Sequence, residues 1–153
     1  MARSGFTRVV VGVPTLLLLV TLAGAGAVSF VRVNVGIANV REGPSTKTSI
    51  LGRAYEHDPL QVLTRRGAWL KVRDFEGYVG WVHASLTEPG PAVIVTASRA
   101  NIRSGPGTSH PVISTAEYGL AFPVVRDAGR WVEVELGDGS RGWVHESLVW
   151  GAD

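Results

Sequence analysis

The chain has 153 residues, of which 18% are charged, with 19 glycines, eight prolines and no cysteine. This composition favours a turn-rich β protein, and the absence of cysteine excludes disulfides, thiol nucleophiles and cysteine-based zinc sites. The formal net charge is +2. Because Arg3 and Arg8 precede an apolar segment, the remaining chain has as many acids as bases, which argues against a nucleic-acid partner.

Residues 1–27 have the organisation of a secretory signal peptide. Two arginines precede the apolar run 9–20, and the small residues 23–27 follow, with cleavage expected after Ala25 or Ala27. The alternative is an uncleaved membrane anchor over residues 9–31, which is long enough to span a bilayer. Cleavage is favoured because a strand-like alternation begins at Val31 and leaves almost no linker. In both cases the sequence predicts an extracytoplasmic protein, located in the periplasm or cell wall or secreted.

An internal repeat organises the rest of the chain. The motif N-V-R-E-G-P at 39–44 recurs as N-I-R-S-G-P at 101–106, an offset of 62 residues. The same offset relates G-x-W at 67–69 to 129–131, and G-W-V-H-x-S-L at 80–86 to 142–148. We therefore expect a duplicated domain at residues 31–88 and 93–149, joined by a short linker at 89–92.

Each copy has the pattern of short strands separated by turns. In the second copy the predicted strands are 93–97, 100–103, 112–116, 122–126, 131–136 and 142–145. The turns contain Gly105-Pro106, Tyr118-Gly119 and Gly137-Asp138-Gly139, and Gly80 and Gly142 are predicted at bends or bulges. So many strands in so few residues favour a small, strongly bent barrel. The segment 87–91 is predicted to be a stiff connector.

The spaced motifs N-x-R-x-G-P-x-T, G-x-W and G-W-V-H-x-S-L resemble the bacterial SH3 (SH3b) domain, present here twice. The resemblance implies an all-β chain of two tandem small SH3-like β-barrels, preceded by the N-terminal signal or transmembrane helix. It also implies modules that bind rather than catalyse. Such modules often anchor exported proteins to peptidoglycan or its peptides, usually beside a hydrolase domain, which is absent from this sequence.

Aromatic residues are the first candidate ligand contacts. Strand alternation places Trp69 and Trp131 among charged residues, where an exposed indole could stack on a sugar or peptide, or could instead cover the barrel rim. Trp81 and Trp143 project to the face opposite Val82 and Val144, which are predicted core residues. These alternating positions could shape a ligand groove. The six candidates are Trp69, Trp81, His83, Trp131, Trp143 and His145.

The repeated Asn-x-Arg motif has two interpretations. Asn39 with Arg41, and Asn101 with Arg103, could tie the Gly-Pro turn to backbone carbonyls, or the arginines could hold a peptide carboxylate. The remaining histidines, His57 and His110, are predicted to be solvated.

Catalytic, metal-binding and cofactor-binding patterns are absent from the sequence, so we expect no enzyme activity, no metal and no cofactor.

The first functional hypothesis is an exported binding protein for cell-wall peptidoglycan or its peptides. The alternative is an extracytoplasmic protein–protein adaptor with a peptide or protein partner in the cell envelope. The first copy has a small excess of bases and the second a small excess of acids, which could favour docking between the copies or head-to-tail association. Membrane contact is expected only through an uncleaved N-terminal segment.

Overall fold

The computed structural model describes residues 28–151, which form two modules, each a seven-stranded antiparallel sheet. The strands of the first module are β1 (Ser29–Val33), β2 (Ile37–Arg41), β3 (Ile50–Tyr55), β4 (Pro59–Arg66), β5 (Trp69–Arg73), β6 (Val79–His83) and β7 (Thr87–Pro89). Those of the second module are β8 (Ala92–Val95), β9 (Arg99–Arg103), β10 (Val112–Glu117), β11 (Ala121–Asp127), β12 (Trp131–Glu135), β13 (Arg141–His145) and β14 (Val149–Gly151). The all-β expectation is confirmed.

The two sheets repeat one topology. Their strand orders are β3-β2-β6-β5-β4-β1-β7 and β10-β9-β13-β12-β11-β8-β14. Short 3-10 turns, Ala84–Leu86 and Glu146–Leu148, precede the last strand of each module. Within residues 28–151 no helix has the length and apolar character needed to cross a membrane.

Each sheet surrounds a core of its own. Strands β1 to β6 all contribute to the first core, formed by Val33, Ala38, Ala54, Leu60, Leu70, Val72 and Val82. The second core consists of Val93, Val95, Ala100, Ile102, Ala116, Phe122, Val132, Val134 and Val144. Burial of these apolar side chains against one cluster stabilises each sheet. Val82 and Val144 are buried at 0% and 1% exposure, as predicted.

Two sequence expectations need correction at the module ends. Residues 87–89 are not part of a connector, because β7 pairs with β1 through Thr87, Glu88 and Pro89. This leaves Gly90-Pro91 as the only residues between the last strand of one module and the first strand of the next. The predicted signal or anchor at 1–27 lies outside the described residues. However, an anchor helix cannot extend to residue 31, since Ser29 already pairs with Val62 in the sheet.

The modules are held together by apolar contacts. Strand β8 is buried on both faces: Val93 and Val95 belong to the core of the second module, whereas Ala92 and Ile94 are buried outside it. Next to Ile94, across the β8–β14 pair, Trp150 meets Phe30 of the first module edge-on, with ring centroids 5.1 Å apart.

This contact uses two positions at which the copies of the repeat differ in chemical character. The positions of Ile94 and Trp150 correspond to Arg32 and Glu88 in the first module, where the same cross-strand pair is an ion pair of 2.8 Å. Among residues 28–151 no ion pair joins the modules: Arg32–Glu88 lies within the first and Arg126–Glu133 within the second. The expected charge-driven docking stays a prediction. The contact of Trp150 with Phe30 is aromatic and does not depend on charge.

Gly80 and Gly142 do not mark bulges but allow close approach between strands. A Cβ at Gly80 would collide with the side chain of Val40 and lie 3.1 Å from the carbonyl oxygen of Arg41. At Gly142 it would collide with Ile102 in the same way. The glycines therefore let β6 and β13 pack tightly against β2 and β9.

We expect Gly80→Ala to lower the free energy of unfolding by about 1–3 kcal/mol, because its methyl group overpacks the contact with β2. Gly52→Ala is the matched control, since a Cβ there meets nothing within 4 Å, and it should be neutral or slightly stabilising. Urea unfolding followed by tryptophan fluorescence measures both. Equal losses in the two variants would contradict the close-approach explanation.

A second prediction concerns the junction between the modules. Trp150→Ala should cost about 1–3 kcal/mol, because it removes the ring that packs on Phe30. Glu88→Ala at the equivalent position removes only a partly exposed ion pair, so its cost should stay below about 1 kcal/mol. Thermal unfolding of the two variants tests this, and the docking surface is misassigned if Glu88→Ala proves the more damaging change.

Candidate functional site

The aromatic pairs singled out in the sequence have the same geometry in both modules. Trp69 lies opposite His83 on the β5–β6 pair, with ring centroids 5.1 Å apart and planes at 87°. Trp131 and His145 repeat these values. In both pairs the indole is half-buried rather than free. Because the same Trp–His packing occurs in both modules, it can be explained as part of the shared fold. A ligand role for these four residues stays a prediction.

The histidines also close the 3-10 turns that follow them. Nδ1 of His83 accepts a hydrogen bond from the backbone N–H of Ser85 (3.3 Å) and lies 2.7 Å from its hydroxyl oxygen. His145 and Ser147 make the same pair of contacts, at 3.2 and 2.8 Å. This capping satisfies a backbone donor at the start of each turn.

The other predicted groove residues, Trp81 and Trp143, are buried, with exposures of 8% and 6%. An arginine covers each ring: Cζ of Arg66 lies 5.5 Å from the centroid of Trp81, and Cζ of Arg126 lies 5.0 Å from that of Trp143. Each geometry is that of a cation–π contact. The sequence did not indicate these arginines, because they occupy non-equivalent positions of the repeat.

The Asn-x-Arg arginines bind backbone carbonyls. Nη1 of Arg41 donates to the carbonyl oxygens of Thr46 (3.1 Å) and Thr48 (2.8 Å). Nη1 of Arg103 donates to Thr108 (3.1 Å) and His110 (2.9 Å). The turn-bridging geometry considered for these arginines is present, while an additional carboxylate contact stays a prediction.

The asparagines of the same motif do not share this bonding. Neither Asn39 nor Asn101 makes a side-chain hydrogen bond to any residue between 28 and 151.

His110 is exposed, as expected, but His57 is half-buried and its Nδ1 is buried without a partner in the described structure. The expectation of a solvated His57 is therefore wrong. Its loop folds back on β1, and the backbone N–H of His57 donates to the carbonyl oxygen of Val33.

A cleft with a volume of about 620 Å³ lies between the modules. The first module supplies most of its wall from β3, the start of β4 and the 74–79 segment, and Ile94 and Tyr118 close it from the second module. Three tyrosines line it and are largely exposed: Tyr55, Tyr78 and Tyr118. Their rings offer flat surfaces beside an apolar wall.

The cleft is also acidic. Asp58, Asp74 and Glu76 line it together with a single base, Arg53. Burial raises the pKa of Asp58, although the N–H of Tyr55 donates to its carboxylate at 2.7 Å and opposes that shift. None of these carboxylates has an ion-pair partner among residues 28–151.

Glu76 connects the cleft to the junction of the modules. The hydroxyl of Tyr118 donates to Oε1 of Glu76 at 2.9 Å, and the Tyr118 ring lies 5.4 Å from that of Phe75. The bond to Glu76 raises the pKa of Tyr118. This pair of contacts closes one end of the cleft across the two modules.

The cleft residues depart from the repeat, and this departure is the signal that sequence reasoning missed. The positions equivalent to Tyr55, Asp58, Asp74, Phe75 and Tyr78 hold Glu117, Leu120, Leu136, Gly137 and Ser140 in the second module. The second module folds with none of them, so the SH3-like topology itself does not require them. Among residues 28–151 no group of three acids or histidines is placed to hold a metal ion.

Comparison with known proteins identifies the modules. Models described as bacterial SH3 domain match residues 36–88 and 96–151. YrvJ of Bacillus subtilis, named as an N-acetylmuramoyl-L-alanine amidase, is 39% identical over 66 residues, which are 43% of this chain and 13% of that protein. LytH of Staphylococcus epidermidis, named as a cell wall amidase, is 33% identical over 61 residues, 39% of this chain and 21% of that protein. The chain thus spans a small part of these relatives, whose amidase domains lie outside the aligned region.

Solved structures show a more distant likeness. A NlpC/P60 family protein from Bacillus cereus is 16% identical, with a TM-score of 0.39 covering 80% of this chain and 56% of that one. NlpC2 from Trichomonas vaginalis is 13% identical, with a TM-score of 0.37 covering 80% and 48%. At these values the likeness does not bear on function.

The bond between Tyr118 and Glu76 predicts an alkaline dependence of stability. A tyrosine with a raised folded pKa stabilises the fold below its ordinary pKa of 10.0, and this contribution is lost as pH rises through the raised value. Tyr118→Phe keeps the ring on Phe75 but lacks the bond, so its melting temperature should fall less between about pH 9 and 11 than that of the unaltered protein. Tyr78→Phe serves as control and should keep the original slope. Parallel slopes for all three proteins would show that the bond does not contribute.

Proposed function

Since the chain belongs to the bacterial SH3 domain family in both of its modules, we propose that it is an exported, non-catalytic protein that binds cell-wall peptidoglycan or its peptides. The cleft between the modules is the binding site of this proposal. The observation that carries it is the formation of an aromatic-walled cleft by residues that the SH3-like fold does not need.

The relatives support the cell wall as the destination. YrvJ and LytH carry names of amidases, and what this chain shares with them is the SH3-like module and not the amidase domain. A module of this family that accompanies a wall amidase is suited to holding the protein on the wall polymer. The location outside the cytoplasm follows from that role and from the signal-like segment 1–27.

The architecture supports recognition of an extended ligand. Tyr55 and Tyr78 provide ring faces on which a sugar or a peptide group can stack, and the exposed ring of Tyr118 lines the same cleft from the opposite module. Because Trp150 and Phe30 hold the modules in contact, the cleft is preorganised and little entropy is lost when a ligand enters.

A protein partner is the second candidate, and one observation favours it. Strands β3 and β10 lie at the ends of their sheets and expose Ile50, Leu51, Val112 and Ile113. An apolar edge strand can pair with an extended segment of another protein. The adaptor hypothesis therefore places the contact on the sheet edges, of which β3 also borders the cleft and β10 lies outside its lining.

Retention on purified, protease-treated sacculi separates the two candidates. The unaltered protein should co-sediment with sacculi, and Tyr55→Ala/Tyr78→Ala should weaken retention by about tenfold, which corresponds to roughly 1.4 kcal/mol. The matched control is Glu117→Ala/Ser140→Ala, which alters the equivalent positions of the second module and should bind normally. Circular dichroism confirms that each variant is folded.

A third variant tests the aromatic pairs that the sequence indicated. If Trp69→Ala/Trp131→Ala remains folded but loses retention while the tyrosine variant keeps it, the binding site lies on the outer faces of the modules. If the unaltered protein fails to sediment with protein-free sacculi, wall binding is wrong and the adaptor hypothesis replaces it.

A further inference from the structure

We propose that the cleft selects peptides that carry a positively charged aliphatic amine, such as a lysine side chain, and that Asp58, Asp74 and Glu76 bind the ammonium group. This inference rests on the proposed function, since it names the chemical feature of the wall peptide that the cleft would recognise.

The first support is the charge of the cleft. Three carboxylates face one base, Arg53, so the lining has a net negative charge. The hydrogen bonds that the carboxylates accept come from neutral donors: the N–H of Tyr55 to Asp58, the N–H groups of Glu76 and Tyr78 to Asp74, and the Tyr118 hydroxyl to Glu76. These bonds orient the carboxylates and leave their charge in place. An ammonium ion is the complementary partner.

The second support is the environment of Asp58. This carboxylate is half-buried, and desolvation is the main cause of its raised pKa. A charged group held in such a place is stabilised by a cation that enters beside it. Leu120 occupies the equivalent position in the second module, which shows that the turn does not depend on a carboxylate there.

The third support is the combination of ring faces and aliphatic wall. Tyr78 is 72% exposed, and Tyr55 and Tyr118 are more than half exposed, although they line the same cleft. Tyrosine faces attract cations. Leu51 and Val79, which are also exposed in the cleft wall, can contact the methylene groups of a lysine-like chain.

The repeat excludes a purely structural origin for most of this set. At the positions of Tyr55 and Tyr78, the second module has the non-aromatic Glu117 and Ser140. Asp74 closes its own hairpin and Glu76 binds Tyr118, so these two have structural contacts as well. Asp58 also accepts a hydrogen bond from the Tyr55 N–H, but Leu120 at the equivalent position shows that the fold does not require a carboxylate there, and the charge of the cleft accounts for its presence.

The probe is a short peptide with blocked termini and a single lysine, compared with the same peptide carrying Nε-acetyl-lysine. Isothermal titration calorimetry on the purified protein should give binding of the lysine peptide and at least a tenfold weaker affinity for the acetylated one, about one decade in Kd. Added salt should weaken the lysine peptide's binding, since part of the attraction is between charges. Equal affinity for the two peptides would overturn the inference.

Charge-removing variants test the residues. Asp58→Asn/Glu76→Gln keeps oxygen acceptors for Tyr55 and Tyr118 while removing two charges, and we expect it to raise Kd by about tenfold or more. Glu117→Gln/Asp138→Asn removes the same charge from the second module, outside the cleft, and should leave Kd within about twofold. An equal loss in both variants would mean that net charge, and not this cleft, attracts the peptide.

The sacculus assay keeps this inference separate from the proposed function. If the protein sediments with sacculi but does not bind the lysine peptide, the amine selectivity is wrong and wall binding stands. If it binds the lysine peptide but not sacculi, the cleft chemistry stands and the wall is not its target.

Discussion

Burial of strand β8 on both faces is the constraint that makes this chain more than two separate modules. Val93 and Val95 fill the core of the second module, while Ala92 and Ile94 are buried on the outer face of the same strand. Only Gly90-Pro91 separates β7 from β8, so the outer face of β8 lies beside the first module. The apolar contact that results creates the cleft, since Ile94 and Tyr118 form one of its walls.

Divergence between the two copies explains why the junction uses the outer face of β8 and β14 and not the equivalent face of the first module. The pair Ile94–Trp150 of the second module corresponds to the ion pair Arg32–Glu88 of the first. The charged pair keeps the equivalent outer face of the first module hydrated, which discourages a second contact of the same kind. The same divergence left Tyr55, Tyr78, Asp58 and Asp74 without counterparts of the same type in the second module. Structure and proposed specificity therefore depend on the positions at which the two copies differ.

The residues that the repeat emphasises and those that form the cleft are different sets. Trp69 with His83, the buried Trp81, and Arg41 on its turn carbonyls recur in the second module with the same packing and hydrogen bonds. Identity between copies is the mark of a shared structural requirement. A specialised site in a duplicated protein is instead expected where the copies disagree, which is where Tyr55, Asp58 and Tyr78 stand.

The sequence alone determined the repeat, the all-β class, the family resemblance and most strands of the second module, because turn glycines and two-residue alternation are local properties. It also placed Val82 and Val144 in the core correctly. Only the tertiary structure decided that residues 87–89 pair as β7, that Trp81 and Trp143 lie beneath arginines, and that the modules dock without an ion pair between them in the described residues. The cleft belongs to this second group. Its wall joins residues as distant along the chain as Leu51 and Tyr118, and no local pattern records which surfaces two folded modules bring together.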